Sequence, residues 1–192
     1  MKEYLGLLAG ILALIGHAPY LVSVIRGKTT PHPLTWLSWS IVTTITFMGQ
    51  LVKGGGYGTL ATGLSGLFTI FIFFYSLKYG FQHVRHQDTY FFLASLTGVV
   101  IWILTHEPTY AVIIAVSVDI IAFIPTLRKT WHKPSSEIPI LYATNIAKHF
   151  LILLALGAYN IATTLHSIVM LFTNTLMILF IFRNKLTSIK AP

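Results

Sequence analysis

Apolar residues form seven long runs along the chain, separated by short polar breaks. Each run is close to the roughly 20 residues that an α-helix needs to cross a hydrocarbon core of about 30 Å. The breaks hold the glycine, proline and hydroxyl residues that are typical of turns. The runs lie near residues 4–25, 34–52, 58–79, 89–105, 109–128, 137–157 and 161–183. The pattern predicts an all-α membrane protein with seven transmembrane helices, in which consecutive helices are antiparallel.

Composition supports a membrane protein rather than a soluble one. The 192 residues are 55% hydrophobic and only 9% charged, whereas soluble domains carry about a quarter of charged residues. The chain is therefore expected to form a single membrane domain spanning residues 1–192. A net charge of +8 first suggests nucleic acid. The basic residues stand in short gaps between apolar runs, however, so we expect a lipid bilayer and no nucleic acid as partner.

Lysine and arginine are distributed unevenly between the two sets of breaks. Cytoplasmic loops are enriched in these residues. One side has only Lys2 and Lys53, and Lys148 falls inside a run. The other side carries Arg26, Lys28, Lys78, Arg85, Arg128, Lys129, Lys133, Arg183, Lys185 and Lys190. This bias predicts an N-terminus outside the cell and a cytoplasmic C-terminus.

The chain contains an internal repeat at an offset of 106 residues. At this offset Pro19 aligns with Pro125 and Pro33 with Pro139, without a gap. Each copy has three helices, so the second copy would begin on the wrong side without a helix between them. We predict two parallel three-helix repeats, residues 1–80 and 108–186, joined by a linker helix at 88–106 in a 3+1+3 arrangement.

These features together resemble the SWEET and PQ-loop superfamily of transporters. The name motif of that family is a Pro-Gln pair, for which this chain has Pro19-Tyr20 and Pro125-Thr126, so both glutamines are replaced. The loop residues Lys28-Thr29 fit the family pattern. The likeness covers nearly the whole chain. It implies a transporter that works by alternating access, and a location in the bacterial inner membrane.

The resemblance also implies roles for individual residues. Sugar-carrying members have an asparagine on the third helix of each repeat, where this chain has Phe68 and Asn174. They carry tryptophan on the second helix, for which Trp36 and Trp39 are candidates. It further implies hinges near a cytoplasmic gate, although proline inside a helix can equally be a fixed kink that shapes the bundle. The hinge candidates are Pro19, Pro33, Pro125 and Pro139.

Polar residues inside the predicted helices gather at one depth. Counted from the cytoplasmic helix ends at 1.5 Å per residue, five of them lie roughly 13 Å deep. These five are His17, Trp39, Asp119, Asn145 and Asn174. Repeat transporters bind substrate near the midplane. With their neighbours one turn away, the predicted substrate-binding residues are Trp36, Trp39, Tyr142, Asn145, His149 and Asn174.

Charged residues inside a bilayer are costly and usually have a function or a partner. We expect His17, Asp119 and Lys148 to couple substrate to protons or, in the case of Asp119 and Lys148, to form an internal ion pair. Cysteine is absent, which excludes disulfides and thiolate metal sites. No metal site or cofactor is expected.

The favoured function is transport of a small polar metabolite such as a sugar, an amino acid or a vitamin-like compound. A seven-helix receptor or sensor, or a cargo receptor with the same fold, is the alternative. A membrane enzyme is disfavoured because no metal-binding H-E-x-x-H or Gly-x-Ser-x-Gly motif occurs. Both a monomer and a homo-oligomer stay open.

Overall fold

The computed structural model describes residues 1–27, 31, 33–79, 86–132, 134, 137 and 139–188. Within these ranges the chain is all-helical, which confirms the all-α part of the predicted fold class. A 3-10 turn at Gly56–Thr59 leads into the third helix, and another follows it at Leu77–Tyr79. The helices are α1 (Lys2–Ile25), α2 (Pro33–Val52), α3 (Leu60–Ser76), α4 (His86–Thr105), α5 (Pro108–His132), α6 (Pro139–Ala155) and α7 (Ile161–Ser188).

Each predicted apolar run corresponds to one helix, with ends that differ by a few residues. Proline is the first residue of α2, α5 and α6, a position where its missing N–H costs no helical hydrogen bond. The largest differences lie at the cytoplasmic ends predicted for α5 and α7, which continue to His132 and Ser188. Arg128 therefore lies inside α5 rather than at its end.

Within the described part of the chain, four helices are long and apolar enough to cross a membrane, which indicates an integral membrane protein. These segments are Lys2–Ile25, Gly56–Ser76, Pro108–His132 and Ile161–Arg183. The apolar parts of α4 and α6 are shorter. Polar side chains interrupt α2, but Ser38, Ser40, Thr46 and Gln50 are all buried in the bundle. These four polar side chains therefore do not face the outside of the bundle.

The distribution of side chains is inverted relative to a soluble protein. Large apolar side chains such as Leu67, Phe74 and Phe172 are more than half exposed, whereas small and hydroxyl residues fill much of the interior. Soluble proteins rarely expose contiguous apolar surfaces of this extent. Small and hydroxyl residues at helix contacts are typical of membrane proteins, so the surface agrees with the four spans.

The helix contacts have a regular pattern. In the first half of the chain α3 packs against both α1 and α2, and in the second half α7 packs against both α5 and α6. Between the halves, α1 packs against α6 and α2 against α5. If α1 is exchanged with α5, α2 with α6 and α3 with α7, each of these helix contacts becomes another of the contacts just named. The helix α4 lies outside this set and contacts α2 and α5.

The two halves meet closely at one end of the bundle, which we call the glycine end (residues 54–58 and 156–158). The Gly157 N–H donates to the Gly55 carbonyl oxygen at 3.0 Å. A Cβ on Gly58 would lie 2.8 Å from the Ile152 carbonyl oxygen, and Gly54 has a positive φ of 80°. Only glycine permits such close approach of backbones.

Polar side chains add further links at the glycine end. The Gln50 side-chain amide donates to the Thr163 carbonyl oxygen at 3.2 Å, and that of Asn160 donates to the Lys53 carbonyl oxygen at 3.0 Å. Lys53 also forms an ion pair with Glu107 at 2.9 Å. Hydrogen bonds from Lys53 and Thr109 lower the pKa of Glu107 to about 2. These links connect residues distant in sequence and close this end of the bundle.

Candidate functional site

A cavity of about 450 Å³ lies between the two halves. Its wall contains residues of α1, α2 and α3 on one side and of α5, α6 and α7 on the other. It extends from beneath the glycine end toward the opposite end, where α1 and α5 finish and α2 and α6 begin. The volume falls within the few hundred to one thousand Å³ that small-molecule pockets occupy.

Most of the residues predicted for the site line this cavity. Tyr142 and Asn174 are not in its wall, although both are buried. The residues that the structure brings together in the wall are His17, Trp36, Trp39, Asp119, Asn145, Lys148 and His149.

Aromatic rings stand at the end of the cavity farther from the glycine end. Trp36 contacts Trp39 edge-to-face, with ring centroids 5.0 Å apart, and Tyr20 is tilted against Trp36 at the same distance. Trp36 is buried, while Trp39 is 41% exposed. Because aromatic faces stack on flat or sugar-like groups, Trp39 is available to a ligand and Trp36 supports it.

The two asparagines form a hydrogen-bonded pair rather than two ligand contacts. The Asn145 side-chain amide donates to the Asn174 carbonyl oxygen at 3.4 Å, and the Asn174 amide donates to the Met170 backbone oxygen at 2.6 Å. Only Asn145 reaches the cavity wall. Tyr142 is directed elsewhere, since its hydroxyl donates to Glu137 at 2.7 Å. Asn174 and Tyr142 therefore support the wall from behind.

The ion pair between Asp119 and Lys148 does not form, although both residues are described. Asp119 instead lies 3.8 Å from His166 Nε2. The reason is the helix order: Asp119 is on α5, Lys148 is on α6, and α7, which carries His166, packs against both.

Asp119 is part of a line of polar groups that reaches α6. The His166 ring meets the His149 ring with centroids 5.3 Å apart, and His149 Nδ1 lies 3.3 Å from the Ser167 hydroxyl. These groups form a chain rather than a closed metal site. Within the described ranges, no three His, Asp or Glu side chains are grouped to hold a metal ion.

Depths along the helices differ from the single level expected. The helix α5 continues to His132, so Asp119 lies about 20 Å from that end, whereas His17 lies about 12 Å from the end of α1. Asp119 is accordingly closer to the glycine end. His17 Nδ1 donates to the Ala13 oxygen at 2.8 Å, and its ring stacks on Phe68 at 5.3 Å.

The four prolines occupy two kinds of position. Pro19 lies inside α1 with its ring on the exposed surface, and Pro125 lies inside α5. Pro33 and Pro139 are the first residues of α2 and α6. The first pair interrupts helices and the second begins them, so only Pro19 and Pro125 bear directly on helix bending. The side chain of Pro125 lies outside the described part of the structure.

Three further residues belong to the site, although the sequence did not single them out as binding residues. His166 lines the cavity, and its buried Nδ1 has no hydrogen-bond partner among the described residues. Thr62 and Ser65 on α3 also line it, and in the part of the chain that the structure describes each has a buried hydroxyl without a partner. Their spacing of three places both on one helix face. That spacing was the available signal, but serine and threonine are common in membrane helices and carry little weight alone.

Comparisons of the chain with protein-family models, with curated proteins and with solved structures find no match.

Proposed function

We propose that the protein is a membrane transporter for a small metabolite. In this proposal the helices α1–α3 and α5–α7 are two parallel repeats, α4 links them, and all seven helices cross the bilayer. The repeats rock about the central cavity so that it opens to one side of the membrane at a time. The N-terminus is outside and the C-terminus cytoplasmic, in the bacterial inner membrane, as the resemblance to SWEET and PQ-loop transporters implies.

The observation that carries this proposal is the position of the cavity. It lies between two halves whose helix contacts exchange with one another, and both halves supply its wall. The helix starts add support. The first residues of α1 and α5, Lys2 and Pro108, are 106 residues apart, which is the offset of the sequence repeat. The first residues of α2 and α6, Pro33 and Pro139, are separated by the same offset. A site between repeats is the arrangement expected for alternating access.

The two ends of the bundle also differ in how closely the halves meet, as alternating access requires. Backbone contacts and side-chain hydrogen bonds join the halves at the glycine end, while the cavity reaches toward the other end. By the lysine and arginine bias, the glycine end faces outward. We therefore propose that the structure corresponds to a state closed to the outside. A receptor with a fixed pocket has no need for a second state.

The chain offers a direct test because it contains no cysteine. We would place a single cysteine at Met170, which lines the cavity from α7. Exposed reference sites are Thr105 at the glycine end and His132 at the other end. A membrane-impermeant methanethiosulfonate reagent would be added to right-side-out and to inside-out membrane vesicles. Labelling would be followed over time.

Alternating access predicts that Met170→Cys is labelled from both sides, while Thr105→Cys and His132→Cys are each labelled from one side only. The reference sites also test the orientation, since Thr105→Cys should react from outside. Labelling of Met170→Cys from one side alone, after the matching reference has reacted fully, would contradict the carrier and favour a receptor. The opposite orientation of the references would contradict only the proposed topology.

A further inference from the structure

Lys148 has a formal charge and no partner in the cavity wall. It is 7% exposed, and within the described residues no hydrogen bond or ion pair includes its ammonium group. A buried charge is strongly unfavourable unless an opposite charge or hydrogen bonds offset it. An unpaired ammonium in a cavity wall therefore indicates that a bound molecule supplies the missing anion.

The surroundings of Lys148 do not supply that anion. Lys148 is close enough to His17, His149 and His166 to interact electrostatically with each, and none of these side chains is an acid. Asp119 has His166 as its nearest partner at 3.8 Å. The remaining carboxylate near α6, Glu137, accepts a hydrogen bond from Tyr142. Within the described residues, no carboxylate therefore lies within ion-pair distance of Lys148.

Two hydroxyl groups without partners among the described residues lie in the part of the cavity wall formed by α3, at Thr62 and Ser65. They are 4% and 8% exposed, and neither hydroxyl makes a hydrogen bond. Hydroxyls donate readily to a carboxylate oxygen, and hydrogen bonds to a charged acceptor are stronger than neutral ones.

Helix register brings the hydroxyl of Ser65 to the depth of Lys148. Ala13, Ala61 and Ile152 belong to one buried cluster beneath the glycine end. One turn farther from that end, α1 carries His17, α3 carries Ser65 and α6 carries Lys148. All three residues line the cavity. They therefore form one layer, with the hydroxyl and the ammonium on different walls of the same space.

The aromatic end of the cavity lies a short distance from this layer. Trp39 is the sixth residue after the start of α2, and Lys148 is the ninth after the start of α6. Since the two helices are equivalent in the helix contacts, this difference corresponds to about 4–5 Å along the axis. A six-membered ring can therefore lie near Trp39 while a carboxylate attached to it lies near Lys148.

We propose that the cavity binds a small aromatic monocarboxylate, with its carboxylate at Lys148, Ser65 and Thr62 and its ring against Trp39. The inference rests on the proposed transport function and names the substrate class. The ammonium offsets the carboxylate charge, and the two hydroxyls donate hydrogen bonds to its oxygens. The exposed face of Trp39 then holds the ring toward the aromatic end of the cavity.

The test uses pairs of probes that differ in charge but hardly in shape. Nicotinate would be compared with nicotinamide, and benzoate with benzamide, by isothermal titration calorimetry on the full chain in nanodiscs of zwitterionic lipid. We expect each carboxylate to bind at least tenfold more tightly than its amide, since a hydrogen-bonded charge contact corresponds to about a ten- to hundredfold change in affinity. Equal binding of acid and amide, or no binding of either, would overturn the proposal.

Variants locate the effect. Lys148→Met should abolish the preference for the acid, and Ser65→Ala should weaken nicotinate binding about two- to tenfold. Lys53→Met, which removes a lysine at the glycine end, should leave both affinities unchanged. If Lys148→Met still prefers the acid to the amide as strongly as the unmodified protein does, the role of Lys148 is contradicted. If Lys148→Met does not fold, the comparison of acid with amide on the unmodified protein still decides.

Chloride and phosphate separate a carboxylate site from a general anion site. We expect neither to displace nicotinate at tenfold excess, and displacement by either would overturn the aromatic carboxylate as ligand. The binding measurements and the cysteine-labelling measurements can also fail separately. Carboxylate binding with labelling of Met170→Cys from one side would refute transport alone. Labelling from both sides without carboxylate binding would refute this inference alone.

Discussion

The helices α1–α3 and α5–α7 pack in the same way but contribute different chemistry to the cavity. The first three supply aromatic rings and hydroxyls, chiefly Trp39 and Ser65, with His17 as their titratable group. The second three supply Asp119 and Lys148 with two histidines. At the repeat offset Lys148 corresponds to Val42 in an apolar cluster. Equivalent backbone positions therefore tolerate opposite side chains, because one faces the cavity and the other a packed helix contact.

Exchanging the residues at this pair of positions should give opposite effects on stability. Val42 is 1% exposed in the contact between α2 and α5. Val42→Lys would bury a charge without a partner and should lower the free energy of unfolding by about 3–5 kcal/mol, or prevent folding. Thermal unfolding in detergent measures the change, with Val42→Met as the control for size. A variant as stable as Val42→Met would contradict the packed environment assigned to Val42.

The converse exchange, Lys148→Val, removes an unpaired charge from the cavity wall. We expect the free energy of unfolding to rise by about 1 kcal/mol or more, as for other buried charged groups replaced by apolar residues. Thermal unfolding in detergent, without ligand, measures this increase. A loss of stability would mean that Lys148 has a stabilising partner in the protein, and it would refute the comparison with Val42.

The glycine end allows a second comparison, between glycines with and without neighbours. A Cβ at Gly58 would lie 2.8 Å from the Ile152 oxygen, while a Cβ at Gly16 meets nothing within 4 Å. We expect Gly58→Ala to lower the free energy of unfolding by about 1–3 kcal/mol. Gly16→Ala should be neutral or slightly stabilising because alanine favours a helix. Equal melting temperatures would show that the halves do not meet closely at Gly58.

The smallest effect is expected for the ion pair between Lys53 and Glu107, both about one third exposed. The pKa of Glu107 is lowered from 4.5 to about 2. A lowered pKa in the folded state adds stability that is present above pH 4.5 and is lost as the pH falls toward 2. Glu107→Gln should therefore melt slightly below the unmodified protein at neutral pH and equally near pH 2, and salt should reduce the difference. A difference that persists at pH 2 would contradict the ion pair.

The helices could be predicted from the sequence because apolar run length and turn residues are local signals. Pro33 and Pro139 marked the starts of α2 and α6 closely. The partner of Asp119 could not be predicted, since it depends on α7 packing against both α5 and α6. Depth counts from Arg128 failed for a related reason: a basic residue marks a helix end only where the helix stops, and α5 continues to His132.

Some polar groups of the site could likewise be predicted from the sequence, and others could not. His17, Trp39 and Lys148 were recognised because charged or aromatic residues stand out in apolar runs. The hydroxyls of Thr62 and Ser65 became notable only when their missing hydrogen bonds could be seen. The contact between Gly55 and Gly157 joins two breaks about one hundred residues apart, and no local pattern indicates such a meeting.

Rocking of the two halves about the cavity, as proposed above, can be measured by distances at both ends of the bundle. Spin labels would be attached to Tyr4→Cys with Tyr110→Cys near the glycine end, and to Val22→Cys with Arg128→Cys near the other end. Each pair is exposed and related by the repeat offset. Double electron–electron resonance would compare the protein with its Gly58→Ala variant, which weakens the closed contact. Rocking of the halves should lengthen the distance within the Tyr4 pair and shorten the distance within the Val22 pair. A change at the glycine end with an unchanged Val22 pair would contradict it.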